Sequence, residues 1–298
     1  MLTQPVPLLV EPAWLAWRLG DPGVRIIDAR WRGEFDAKNL HRAEHIPGAT
    51  HLDWSKDLRT NGPLPRGVPG PVAFAALLSQ HGVDEQTHVV TYADDDYSGA
   101  TRLWWALRYY GHGRVSVLNG GLNAWIAAGL PLTNDQPSPP GRVFVPRPVP
   151  ALRATRADVL AALSRRDAIV DTRTYEQYGG RAVWSPRGNV FADAGQDRVT
   201  VGGLAIRTGR IPGAVHLNSS ENLDSTRNWR FRPADELRTR AEHARLRTGH
   251  RVITYCGVGI SATLGLFSLA LAGFEDLALY DASWEEWGSV LSLPIETD

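Results

Sequence analysis

The feature that most limits what this chain can fold into is that it says nearly the same thing twice. "VRIIDAR" at 24–30 returns as "DAIVDTR" at 167–173, and "HIPGATHL" at 45–52 returns as "RIPGAVHL" at 210–217. "HVVTYA" at 88–93 is answered by "RVITYC" at 251–256, and "LNGGLNAW" at 118–125 by "YDASWEEW" at 280–287. Four islands in one order define a duplicated module. The spacing is not uniform. Asp28 and Asp171 are 143 residues apart, whereas Pro47 and Pro212 are 165 apart. The second copy therefore carries about 22 additional residues before its "IPGA", within "YGGRAVWSPRGNVFADAGQDRVTVGGLAIRTG". Such a stretch, rich in Gly and Arg with little apolar period, is expected to be either functional or mobile.

Between the copies, Pro137, Pro139, Pro140, Pro146, Pro148 and Pro150 block helix and central strand and predict an extended linker. A fresh helical pattern follows from Thr155, a suitable N-cap. The expected boundaries are 1–133, a linker at 134–152, and 153–298. Within the second copy, "AIVDTR", "RVITYC" and "LALYD" read as short buried strands, and "PADELRTRAEHARL" and "ATLGLFSLALAGF" as helices. Strands alternating with helices give an α/β fold, each copy a mainly parallel sheet flanked by helices. Right-handed crossovers place the loops after "VD" and "VITY" on one carboxyl edge, where ligands bind in such sheets.

Composition narrows the function classes. The 298 residues hold 32 basic and 32 acidic side chains, with no local Lys/Arg block, which argues against a nucleic-acid or membrane-surface partner. One cysteine precludes an internal disulfide, and nine histidines lack metal-ligand spacing, so no zinc site is expected. No apolar segment reaches membrane length, and the natural expectation is a cytoplasmic enzyme.

That one cysteine, Cys256, stands where "VITY" ends. A free cysteine is more often buried and inert than reactive. Three features move this one away from that: the carboxyl end of a strand, a following Gly-x-Gly, and a helix beginning near Ser261. Gly257 and Gly259 let the backbone curl its N–H groups inward, and the helix start adds its own. An ordinary thiol is only about 3% ionised at neutral pH. Lowering its pKa by roughly two units costs about 2.7 kcal/mol of differential stabilisation, within reach of such a cradle. The first copy lacks these means. Its loop "YADDDYSGAT" has Ala93 in place of the cysteine, then three aspartates, and reads as a solvated turn.

These residues resemble the two-domain rhodanese-type sulfurtransferases. The resemblance implies tandem rhodanese-like domains, non-catalytic in the first copy, and a Cys256 that becomes a persulfide and passes sulfur to a thiol, such as thioredoxin or glutathione, or to cyanide. It implies a small-molecule sulfur donor, an anion cradle of Gly257, Val258, Gly259, Ile260, Ser261 and Ala262, and no metal or organic cofactor. With no cation after the cysteine, the loop is more similar to the 3-mercaptopyruvate type than to the thiosulfate type, though Val258 stands where that type has a hydroxyl. The position at which that type has a carboxylate-binding arginine is Gln177. Arg181, Arg187 and Arg198 of the additional segment are possible replacements. Asp171 and Arg173 are expected to position the loop, and Trp284 and Trp287 to anchor the core. A related phosphatase chemistry needs an arginine where Ala262 stands. A thiosulfate donor and a non-catalytic sulfur carrier remain the alternatives. Two domains in one chain favour a monomer.

Overall fold

The computed structural model describes residues 6–32 and 37–298. The chain divides into two compact units. Unit 1 comprises residues up to Thr60, Val68–Val149 and Leu223–Phe231, and unit 2 comprises Asn61–Gly67, Pro150–Asn222 and Arg232–Asp298. Two short segments, 61–67 and 223–231, are each counted with the other repeat's unit.

Unit 1 contains β1 (Leu9–Val10), α1 (Pro12–Ala16), β2 (Val24–Asp28), α2 (Ala37–Ala43), β3 (Thr50–His51), α3 (Trp54–Asp57) and α4 (Pro71–Gln80). It continues through β4 (His88–Tyr92), α5 (Ser98–Tyr109), β5 (Val115–Leu118) and α6 (Gly121–Ala127). Its five strands lie parallel in the order β1-β5-β4-β2-β3. Every residue of β4 and β5 is buried, as expected of central parallel strands.

Unit 2 contains β6 (Arg153–Ala154), α7 (Arg156–Arg165), β7 (Ala168–Asp171), α8 (Tyr175–Tyr178), β8 (Ala182–Ser185), β9 (Gly188–Phe191), β10 (Arg198–Val201), β11 (Leu204–Arg207) and β12 (Val215–His216). The antiparallel pair β13 (Leu223–Asp224) and β14 (Arg230–Phe231) belongs to unit 1. Back in unit 2 come α9 (Ala234–His243), β15 (Val252–Tyr255), α10 (Ser261–Leu271), β16 (Leu277–Tyr280) and α11 (Ser283–Trp287). The parallel sheet runs β6-β16-β15-β7-β12, strand for strand the order of unit 1. Thr155 caps α7 in a reciprocal capping box with Asp158.

The repeated islands converge on one buried arrangement. In unit 2, Arg173 donates from Nε and Nη2 to Asp171 at 2.9 and 2.6 Å, and Tyr255 donates its hydroxyl to Asp171 at 2.6 Å. Ile211 of "IPGA" donates its backbone N–H to the Tyr255 oxygen at 3.1 Å. Unit 1 repeats this with Arg30 on Asp28 and Ile46 N–H on the Tyr92 hydroxyl, and adds His41 at 3.1 Å from Asp28. A buried carboxylate must find such partners or neutralise. Burial alone would raise the Asp28 carboxyl, but hydrogen bonds from His41 and Arg30 outweigh it and hold the group well below the usual carboxylate range.

Three stretches gain detail, and the last of them corrects an expectation. The additional segment is two β-hairpins, β8–β9 and β10–β11, with Val183, Val199 and Ile206 buried in the unit 2 core. The proline-rich linker is a strap laid on unit 1. Phe144 is buried against Phe74, Arg142 pairs with Asp84 at 2.7 Å, and Arg147 and Val149 donate N–H groups to the carbonyls of Tyr110 and Tyr109. The "DDD" loop is no solvated turn throughout, because Asp94 is buried and held by Arg32 at 2.5 Å.

Candidate active site

Cys256 follows directly on β15, the middle strand of the unit 2 sheet. Tyr255 aligns with Asp171 in the β15–β7 ladder, so the loops leaving both strands share the carboxyl edge expected from sequence. Alternation along the strand sends the Tyr255 side chain to Asp171 and leaves Cys256 to begin the turn. Gly259 donates its N–H to the Cys256 Sγ at 3.2 Å. Two glycines permit that geometry. Gly259 has φ +79, and a Cβ on it would overlap the Asp281 carbonyl. A Cβ on Gly257 would lie 2.9 Å from the Cβ of Trp184, the residue by which β8 walls the loop. The helix α10 then starts at Ser261 with no side-chain cap on its first turn. Val258 and Ser261 are partly exposed, while Ile260 and Ala262 are buried. Cys256 itself is 2% exposed, so the sulfur lies within the loop rather than on its surface.

The far side of the loop is held by α11. Trp284 and Glu285 donate their N–H groups to the carbonyls of Cys256 and Gly257, at 3.0 and 2.8 Å. The Cys256 N–H donates to Ser283 Oγ at 3.1 Å, and that hydroxyl donates to the Tyr280 carbonyl at 2.8 Å. Arg173, whose charge is kept by Asp171 against the pull of burial, stacks over Trp284 at 4.6 Å. Trp284 and Trp287 are fully buried and donate their indole N–H groups to Arg207 and Pro294 carbonyls. Arg66 reaches this wall too. Its Nη1 pairs with Glu285 at 2.9 Å and its Nε donates to the Gly62 carbonyl, which leaves Nη2 without a partner among the described residues.

The arginines weighed from sequence all lie on the additional segment. Arg187 is exposed at the β8–β9 turn, Arg181 is exposed where β8 begins, and Arg198 is exposed and paired with Asp197 at 2.9 Å. Gln177 is buried and donates to Asn189 at 2.5 Å. Glu285 and Arg66 escaped sequence reasoning. Ser283 carries a readable signal, since it occupies the place of Gly121 in the first copy. Arg66 carries none, because its pairing spans 219 residues. Among the described residues no group of three His, Cys, Asp or Glu is placed to hold a metal ion.

Comparison with known families matches a rhodanese-like domain twice, at residues 11–128 and 155–289. The chain is a two-domain sulfurtransferase of the rhodanese family. It is 32% identical over 97% of its length to the Sulfur carrier protein TtuD of Thermus thermophilus, covering 96% of that protein. It is 33% identical over 97% of its length to a thiosulfate sulfurtransferase of Corynebacterium glutamicum, covering 90% of it. The crystal structure of SseA from Escherichia coli, described as a 3-mercaptopyruvate sulfurtransferase, superposes with a TM-score of 0.77 at 27% identity, over 94% of this chain and 99% of that one. The duplicated α/β rhodanese fold read from the islands is therefore the fold of this chain.

Proposed function

We propose that this rhodanese takes the thiol sulfur of 3-mercaptopyruvate onto Cys256 and delivers it to a thiol. The thiolate attacks the donor sulfur, the donor's carbon–sulfur bond breaks, and the carbon fragment leaves as the enolate of pyruvate and takes up a proton. Cys256 is left as a persulfide. An acceptor thiolate, such as that of thioredoxin or glutathione, or cyanide, then attacks the outer sulfur and releases the Cys256 thiolate. The observation that carries this reading is the Gly259 N–H aimed at the sulfur from a loop with no cationic side chain between Gly257 and Ala262. A preorganised amide favours the sulfur anion in both its thiolate and persulfide forms. The donor's carboxylate needs a cation, and in this reading Arg66 supplies it with its unpaired Nη2 edge.

The name of the Corynebacterium relative supports a second donor, thiosulfate. A dianion is better served by a cation within the loop itself, which favours mercaptopyruvate here. The chain works, in this reading, as a cytoplasmic monomer. Intact-mass spectrometry after donor exposure tests the proposal: one added sulfur is expected, removable by cyanide and absent in Cys256→Ser. A Cys256→Ser protein that still transfers sulfur would overturn it, and faster loading from thiosulfate than from mercaptopyruvate would overturn the donor.

A further inference from the structure

The two units supply an internal control at the residue that opens the helix behind the loop. That residue is Gly121 in unit 1 and Ser283 in unit 2. Both adopt the left-handed backbone, at φ +50 and φ +54. The hydrogen bond that the turn exists to make is also the same. Leu122 donates its N–H to the Ala93 carbonyl at 2.8 Å, and Trp284 donates to the Cys256 carbonyl at 3.0 Å. A glycine therefore suffices for the turn, and it is the residue that adopts this backbone without strain. Serine bears a Cβ there and is strained. A strained residue persists when something else in the structure requires it.

What serine adds is the hydroxyl. Its Oγ accepts the Cys256 N–H at 3.1 Å and donates to the Tyr280 carbonyl at 2.8 Å, in a pocket where Ser283 is fully buried. The unit that keeps glycine has Ala93 in place of the cysteine. We infer that Ser283 is a positioning residue: its hydroxyl fixes the backbone of Cys256 so that the sulfur meets the Gly259 N–H, and the left-handed strain is tolerated for that purpose. This inference rests on Cys256 being the sulfur-accepting residue. Ser283 touches neither donor nor sulfur in this assignment.

Two variants separate the hydroxyl from the backbone. Ser283→Ala removes the hydroxyl and keeps the strain, whereas Ser283→Gly removes both. The Gly variant is expected to melt above the Ala variant. Both are expected to lose about 10-fold in kcat for persulfide formation from 3-mercaptopyruvate, with KM within about twofold of wild type, the size expected for one lost buried hydrogen bond. Both should also shift the pH profile of Cys256 alkylation by iodoacetamide upward, because the thiolate loses its aligned amide. If Ser283→Gly regains wild-type kcat along with its stability, or if the alkylation profile stays in place, serine does nothing for the cysteine and the inference falls. A wild-type protein inert to mercaptopyruvate would overturn the proposed donor alone, since the alkylation profile still decides the role of Ser283.

Discussion

Gly259 bears two constraints at once, a positive φ and an Asp281 carbonyl where its Cβ would go. Gly259→Ala must move the loop, and with it the amide that faces the sulfur. Loss of most sulfur transfer is expected, with about 1–3 kcal/mol of stability, read by turnover and by urea titration. Asp171 makes a different prediction. It is fully buried, and the fully buried Arg173 relies on it for charge balance. Asp171→Asn leaves that guanidinium unpaired and should cost about 3–5 kcal/mol in denaturation midpoint analysis. At this scale the sequence was informative wherever a residue's chemistry is local. The Cys-Gly-x-Gly turn could be read from four letters. Gln177 and Arg66 could not, because the glutamine's partner Asn189 is brought to it by a hairpin that no periodicity shows and the arginine's partner lies 219 residues along the chain.

Among the elements, the strands and helices of the second copy were legible because short β-branched runs and an apolar helix follow period rules that need no partner. The hairpins of the additional segment were not legible, for a physical reason. Each of its four strands has four residues, too few to show alternation against the surrounding Gly and Arg. One signal was present. Gly202 and Gly203, at φ +57 and +79, close β10 onto β11 as a two-residue turn of the kind that only such pairs make easily. The hairpins matter to the site through Trp184, which packs over Gly257. Trp184→Ala should uncover the loop, so that Cys256 in the otherwise folded protein reacts with iodoacetamide several-fold faster than wild type. An unchanged rate would mean that β8 does not shield the sulfur.

For the whole molecule, the histidines are unevenly shared. His41, His45, His51, His81, His88 and His112 all belong to unit 1. Burial pushes His81 and His88 down to about 4, and also lowers His45, His51 and His112. A histidine kept neutral in the fold stabilises it fully only above its unfolded pKa of about 6.5. As pH falls below that value the unfolded chain takes up protons that the native chain refuses, and stability declines down to about pH 4. The melting temperature is therefore expected to fall between pH 7 and pH 5, before the carboxylates titrate. His81→Gln and His88→Gln together should flatten that slope.

The division into units adds something no periodicity could disclose. Residues 61–67, written in the first repeat, are counted with unit 2 and include the arginine that pairs with Glu285, while residues 223–231, written in the second, are counted with unit 1. A gene cut at the proline strap would accordingly encode two halves, each short of a piece that only its sister carries. Expressed singly, the cysteine-bearing half should lack the Arg66 contact, and co-expressing both fragments should restore what either one alone is missing.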